Sequence, residues 1–464
     1  MSAQRPGRYR TEAAKSLHRK PSVRRSVTAA TRTFDGHRTR AWSEIDSDRW
    51  RDWARDVRTH ALTHLADYLE QAEERLVANG CRVHWAETAD DALFALTNIV
   101  REHGVTSTVK AKSMVTEELH VNAHLERLGV AVRETDLGEY IIQLLGEPPS
   151  HIVGPAIHKS LEDCQELFHE RLGTPLDGDP DTLAAAARDA LRAEFLEADL
   201  GISGGNFLAA ETGTIALIEN EGNIRLSTSL PRVHVAFIGI EKVVPRLSDV
   251  SGLVQLTARS ATGQPIGNYV SLVQGPRTPE DVDGPRQVHV VLVDNGRTDL
   301  LADDEAWEAL RCVRCGACLN ICPVYRQTGG HPYGWTYSGP IGAIIAPGML
   351  GLKQAMPLPF ASSLCGACAD VCPVRIPIPE LLLYWRERAV DAGLTSVIES
   401  VGLKTYAKLA EQPELFSTAG TVARWLPIEL GGRALPVVGG WMQERSAPKP
   451  SPRSFQALWK EGIE

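Results

Sequence analysis

The sequence predicts an α/β domain over roughly residues 42–300, followed by a mainly α domain over roughly 301–395. Three observations predict it. From about residue 75 to 300, short extended segments alternate with longer helical ones, the order that gives parallel strands with helices on their faces. Beyond residue 300 the alternation stops, and seven of the nine cysteines gather in two runs. The chain, 464 residues with 43% apolar and 23% charged side chains, has the composition of a soluble globular protein and the length for two or three cores.

A net charge of −9 argues against nucleic acid as the main partner, because phosphate binding needs a basic surface. Clustered cysteines without a secretory signal read as metal ligands in a reducing compartment, not as disulfides. Cys81 and Cys164 stand alone and read as small buried hydrophobes. No apolar run reaches the roughly 18 residues a membrane span needs, so a cytoplasmic location is expected.

Taken in order, the first forty residues are Arg-rich and nearly free of Asp and Glu. They show no strong amphipathic helix and no cleavage signal. Residues 1–41 are therefore expected to be a disordered basic arm, able to dock on an acidic partner, rather than a mitochondrial presequence. From Trp42 to Asn79, the recurrence of Trp50, Trp53, Val57, Ala61 and Leu65 at three- and four-residue spacing marks a helix. Asn79-Gly80 ends it.

The alternation then runs strand CRVHWAE, helix Asp90–His103, strand STVKAKS, helix Glu117–Leu128, strand VAVRETD and helix Gly138–Leu145. Helices at Leu161–Leu172 and Asp181–Ala198 precede a strand-rich stretch: TIALIEN, IRLSTS, RVHVAFIGI and QVHVVLVD. Asp303–Leu310 leads helically into the first cysteine run. The Gly/Pro-rich insert RQTGGHPYGWTYSGPIGAIIAPGMLG reads as mostly loop, and Glu380–Ala392 as a helix.

Residues 396–464 form a C-terminal segment. Its stretch Phe416–Met442 is apolar but broken by Pro427, Gly431, Gly432, Pro436, Gly439 and Gly440. It cannot cross a bilayer as one helix. Packing on its own protein is the first reading and peripheral contact with a membrane or partner the second. SAPKPSPRS reads as a flexible tail.

Cys312, Cys315, Cys318 and Cys322, followed by Pro323, have the Cys-x-x-Cys-x-x-Cys-x-x-x-Cys-Pro spacing of an iron–sulfur cubane site. Three thiolates on one tight loop can face three irons, and Gly316 lets the backbone approach the sulfides. The fourth cysteine usually reaches the other cluster of a pair. A second run is present at Cys365, Cys368 and Cys372 with Pro373.

In a two-cluster ferredoxin arrangement, Cys312, Cys315, Cys318 and Cys372 hold cluster 1, and Cys322, Cys365 and Cys368 hold cluster 2. The second run is one thiolate short, with Ser362 where its first cysteine would stand. Ser362 or another oxygen, an exogenous ligand, or a three-iron cluster would each meet that shortage. Structural zinc explains two Cys-x-x-Cys pairs, but not Cys318 or the two Cys-Pro steps. Two 4Fe-4S clusters are therefore expected, the second open to one non-cysteine ligand. As neighbours they suit an electron relay.

In the α/β domain, Gly204, Gly205, Asn206, Glu211, Thr212 and Gly213 precede an apparent strand, and Asn220, Glu221, Gly222 and Asn223 follow it. Strand ends are where α/β folds place ligand contacts. Lys112, Ser113, Thr116, Glu117 and Glu118 stand at a strand-to-helix junction that could hold an anion. Glu241 and Lys242 complete the set. The structural alternative is hairpin chemistry for Asn-Glu-Gly-Asn and solvated charges elsewhere. His158 and His331 are candidate ligands or proton carriers; ordinary hydrogen bonding is the commoner role.

KSMVTEE, LGEYIIQL, PSHIVGPAIH, GGNFLAAETGT, ENEGNIR, GIEKVVP and GHPYGWTYSGPIG together resemble the bacterial lactate utilisation protein B family, from about Trp42 to the C-terminus. The resemblance implies a sugar-isomerase/CoA-transferase-like α/β fold, then a ferredoxin-type dicluster domain and a family-specific tail. It implies the same seven cysteine ligands in the same two sets. It also implies an electron-transfer subunit in the oxidation of L-lactate to pyruvate, with sibling lactate-utilisation subunits as partners. No Gly-x-Gly-x-x-Gly flavin fingerprint is visible, so relay is expected here rather than independent dehydrogenase activity. A CoA- or sugar-phosphate-binding enzyme with structural clusters is the alternative, and a subunit for another 2-hydroxy acid a third.

Overall fold

The strands are β1 (Arg82–Ala86), β2 (Ser107–Lys110), β3 (Ala131–Glu134), β4 (Leu200–Ser203), β5 (Phe207–Ala209), β6 (Thr214–Glu219), β7 (Val233–Gly239), β8 (Val243–Val244), β9 (Tyr269–Val273) and β10 (Gln287–Val293). The computed structural model that defines them describes residues 6–19, 21–425 and 451–462. Six strands pair, all in parallel, in the order β1-β10-β7-β4-β2-β3. Central strands of a covered parallel sheet must be apolar throughout. β4 and β7 are buried at every residue, while the edge strands β1 and β3 are partly exposed.

Alternate residues serve the two faces. Val235, Phe237 and Val291 pack with helices Ala89–Glu102 and Val121–Arg127. Ala236, Ile238 and Val290 pack with helix Leu65–Ala78. A second, smaller sheet runs β8-β5-β6-β9, with β6 antiparallel to both neighbours. Beyond β10 the chain is mainly helical. The predicted fold class, α/β then mainly α, is what the chain adopts.

Three expectations are corrected. The basic arm expected to be disordered is helical, Tyr9–Arg19 and Pro21–Ser43. Its second helix buries Val27 and Thr31, one turn apart, against the helices of the first cysteine run. The arginines mask that narrow stripe in the sequence.

IRLSTS is not a strand but helix Asn223–Ser229. Gly222, at φ 81°, turns the chain, and the Glu219 carboxylate accepts from the N–H groups of Ile224 at 2.7 Å and Arg225 at 3.0 Å. A carboxylate on free N–H groups stabilises a helix start, so Asn-Glu-Gly-Asn is not a hairpin.

Part of the insert expected as loop is helix Gly339–Leu350, buried from Gly339 to Pro347. Pro340 lies in its first turn, where the missing N–H breaks no bond. A helix apolar all round belongs in a core.

These elements belong to a unit spanning Met1–Ala389; Val390–Glu464 forms a second. In the second, helices Val397–Ala410 and Pro413–Trp425 meet through Tyr406 and Phe416, ring centroids 6.1 Å apart. The apolar stretch from Phe416 is helical to Trp425; its remainder and most of SAPKPSPRS lie outside the described residues. Among the described residues no helix is long and apolar enough to cross a membrane.

Candidate functional site

The two cysteine runs share a local fold. Arg314 and Leu364, each directly before a cysteine, have φ of 60° and 53°. Gly316 and Gly366, each directly after it, have φ of 78° and 84°. The repeated x-Cys-Gly-Ala-Cys thus passes twice through the left-handed region before entering a short helix, Ala317–Ile321 or Ala367–Asp370. Cys322 caps the next helix: its Sγ accepts from the Tyr325 N–H at 3.5 Å, and Pro323 occupies the first turn. Cys-Pro therefore has a geometric reason. Cys312 and Cys372 likewise accept from Arg314 N at 3.3 Å and Ile376 N at 3.4 Å. Such N–H···S bonds tune the potential of a bound cluster.

Cys312, Cys315, Cys318 and Cys372 line one cleft. Burial pushes the Cys315, Cys318 and Cys372 thiols up, and the neighbouring Cys312 adds to it. Cys322, Cys365 and Cys368 form a second neighbourhood: burial pushes Cys368 up to about 12, with Cys322 and Cys365 adding. Cys318 also feels Cys368, so the neighbourhoods adjoin. Buried thiols of this kind persist as thiolates only beside a metal.

The residues fit a cubane better than zinc. Among the described residues no three of these sulfurs lie within 4.8 Å of one another, whereas thiolates of a zinc tetrahedron sit about 3.8 Å apart. Ser362 Oγ accepts from Leu364 N at 3.1 Å; in the second set Cys365 is exposed while Cys322 and Cys368 are buried.

The carboxyl ends of β2, β4 and β7 open onto a cavity of about 360 Å³. Lys112 and Ser113 reach it from beyond β2, Gly204, Gly205 and Asn206 from beyond β4, and Lys242 from beyond β7. Asn220, Glu221 and Asn223 reach it from the turn after β6. The same cavity touches Val313, Arg314 and Cys315, the edge of the first cysteine run, and Tyr337 of the insert. Strand ends from distant parts of the sequence thus meet the cluster motif.

Other expected residues serve the frame. Glu211 Oε2 accepts from Leu247 N at 3.1 Å, the Thr212 carbonyl from Asn79 Nδ2 at 2.9 Å, and Gly213 turns β5 into β6 at φ 66°. Thr116 Oγ1 donates to the Ser113 carbonyl at 2.8 Å, and Glu117 pairs with Lys110 at 3.0 Å. Glu118 and Glu241 both bind Arg297, at 2.9 and 2.6 Å.

Burial lowers Lys242 to about 7 against the pull of Glu241, and its Nζ donates to the Cys312 carbonyl at 3.3 Å. Burial would raise Glu241, but Arg297 first, then Lys242 and Arg314, hold it down at about 2. Arg58 donates to the carbonyls of Val243 at 3.0 Å and Leu310 at 3.1 Å, locking β8 to the cluster segment.

Arg58, Arg297, Arg314 and Tyr337 are site residues that sequence reasoning missed. Arg314 alone left a signal, being a bulky cation inside a ligand loop.

His158 and His331 do come together, with ring centroids 4.6 Å apart. With Glu147 they bring three ligand-type atoms within 4.8 Å of one another. Glu147 is already matched: Nε2 of His158 and Nζ of Lys159 each lie 2.8 Å from it and hold it down at about 2. His331 Nε2 lies 2.8 Å from the Pro148 carbonyl. The group reads as a hydrogen-bonded brace.

A parallel α/β sheet whose carboxyl edge abuts paired cysteine loops defines an iron–sulfur protein with an attached α/β domain. Residues 69–293 match the LUD domain, 308–376 the 4Fe-4S dicluster domain, and 390–463 the C-terminal region of lactate utilisation protein B. The chain is 42% identical to lactate utilization protein B of Shouchella clausii, covering 94% of each chain. It is 43% identical to that of Geobacillus thermodenitrificans, over 88% of this chain and 87% of the relative. An uncharacterized electron transport protein of Escherichia coli, YkgF, is 41% identical over 95% and 94%. The chain belongs to the lactate utilisation protein B family, as its motifs predict.

Proposed function

We propose that this protein is the electron-carrying subunit in the oxidation of L-lactate to pyruvate, working in the cytoplasm beside sibling lactate-utilisation subunits. In this reading Cys312, Cys315, Cys318 and Cys372 hold one 4Fe-4S cluster, and Cys322, Cys365 and Cys368 the other. The fourth position of the second is met by Ser362, another oxygen or an exogenous ligand. Bound clusters supply one-electron steps.

The carrying observation is the crossing of the runs: Cys372 joins the first cleft and Cys322 the second neighbourhood, with Cys318 close to Cys368. A crossed pair supports a relay, since each loop ties both sites at a short separation. The exposed Cys365 supplies a surface for exchange with a partner.

The test is anaerobic reconstitution followed by electron paramagnetic resonance. Lactate is expected to reduce the clusters only when sibling subunits are present. Turnover of lactate by the chain alone would overturn the relay.

The 360 Å³ cavity favours a second reading, an α/β enzyme for CoA or sugar phosphates with structural clusters. Stabilisation by those compounds, with clusters that lactate never reduces, would establish it.

A further inference from the structure

The carboxyl ends of β2 and β3 carry a cluster of charge apart from both cysteine runs. Lys110 and Glu134 are register partners on these neighbouring parallel strands, so their side chains share a face. Glu117, on helix Met114–Glu118, and Glu139, on helix Leu137–Leu145, meet them there. None of the four lines the 360 Å³ cavity. Each of the three glutamates offers a carboxylate oxygen, and these oxygens all lie within 4.8 Å of one another. Lys110, with no exposed surface, is the cation among them: its Nζ lies 3.0 Å from Glu117 and 2.8 Å from Glu134.

One ammonium does not satisfy three carboxylates. Glu134 and Glu139 are each 2% exposed, yet Glu134 Oε2 and Glu139 Oε1 have no hydrogen-bond partner. Asn122, on helix Val121–Arg127, donates through Nδ2 to Glu134 Oε1 at 2.5 Å, and its own Oδ1 is also buried and unpartnered. All three bare atoms are acceptors. The next cation, Lys112, donates to the Ile152 carbonyl and faces Asp136 and Glu221 as well as Glu139 and Glu117. Five carboxylates thus face two lysines. Burial first, then Glu117 and Glu134, push Glu139 well above the usual carboxylate range. Buried carboxylates in excess are costly unless they hold a cation or a proton.

The donor set is hard oxygen alone, which suits magnesium, manganese or calcium rather than copper or zinc. Oxygens bound at about 2.0–2.6 Å from such an ion lie at most about 5 Å apart, so the observed spread already matches a site. Glu117, with 21% of its side chain exposed, gives an ion a way in.

We propose that Glu117, Glu134 and Glu139 bind one hard divalent cation of the magnesium or manganese kind, tying the ends of β2 and β3 to the helices that follow them. The inference stands apart from the relay, requiring neither lactate nor sibling subunits.

The experiment is equilibrium dialysis of the anaerobically prepared, cluster-loaded full chain, freed of loose metal with a chelator, against manganese. Bound metal is read by elemental analysis. One manganese per chain is expected, with cluster iron unchanged, and manganese should raise the thermal midpoint. Glu139→Gln keeps the shape and removes a charge; it should weaken uptake by about tenfold or more and abolish the rise in midpoint. If Glu139→Gln does not fold, Glu117→Gln, at the entrance, decides alone.

No manganese uptake at millimolar concentration, or uptake by the deciding variant within twofold of the parent, would overturn the inference. A cluster that holds a proton instead would take up no manganese, and Glu139→Gln would melt at or above the parent's temperature whatever the manganese concentration. That result too would overturn it.

Discussion

Arg297 and Glu118 meet as a doubly bonded buried pair, Nη1 to Oε1 at 3.0 Å and Nη2 to Oε2 at 2.9 Å, neither side chain more than 1% exposed. The pair links the segment after β10 to the helix after β2. Tyr337 of the insert adds a third bond, its hydroxyl donating to Glu118 Oε2 at 2.7 Å. Glu118→Gln should lower unfolding free energy by about 1.5–3 kcal/mol, because it leaves a buried guanidinium with only one of its two carboxylates, Glu241. A denaturant titration of the variant and the parent checks this; a harmless variant would refute it.

The arm should protect the clusters. Thr28 Oγ1 donates to the Arg326 carbonyl and Ser16 Oγ to that of Thr328, both at 2.9 Å, and Tyr9 lies edge-on to Tyr333 at 5.0 Å. Deleting residues 1–40 is expected to expose the helix that begins at Pro323 and speed bleaching of cluster absorbance in air severalfold. An unchanged bleaching rate would show that the arm is dispensable there.

Gly201 has no room for a methyl group. A Cβ there would stand 1.8 Å from the Ser227 carbonyl oxygen, where helix Asn223–Ser229 crosses β4. Gly201→Ala should destabilise by at least the roughly 1–3 kcal/mol typical of overpacking, read as a lower thermal midpoint with clusters loaded.

The crossed ligand sets predict selective losses. Cys372→Ala should damage the cluster of Cys312, Cys315 and Cys318, although it lies in the other run. Cys322→Ala should damage the one held with Cys365 and Cys368. Iron content and paramagnetic resonance of the two variants distinguish this from uncrossed ligation, for which the losses would be swapped.

His234 sets an acid limit. Fully buried on β7, with Nε2 2.8 Å from Ser203 Oγ, it is lowered by burial to about 4. The unfolded chain takes up that proton near pH 6.5, so the histidine's contribution is complete above about 6.5 and is lost as pH falls toward 4. The contribution is at most about 3 kcal/mol. His234→Gln should flatten the fall in denaturation midpoint between pH 7 and 5 relative to the parent. Identical slopes would contradict it.

Much of the architecture was legible in the residues. The strands RVHVAFIGI and QVHVVLVD announce themselves because a covered parallel strand must be apolar on both faces. Short strands such as Phe207–Ala209 carry too few residues to show a period. IRLSTS and the insert misled because local composition was overridden, in one case by the Glu219 cap, in the other by burial of every face. The arm misled because a stripe centred on Val27 and Thr31 carries little apolar weight among so many arginines.

By itself the sequence determined the cysteine chemistry and the parallel sheet, since ligand spacing and strand alternation are local patterns set by backbone geometry. Only the tertiary structure decided that Lys112, Asn206, Lys242 and Arg314 share one cavity, and that Glu118 reaches Arg297. Those meetings depend on the order β10-β7-β4-β2, which brings strand ends far apart in the chain to one edge. Such non-local pairing is a property of the folded sheet, and no stretch of residues carries it alone.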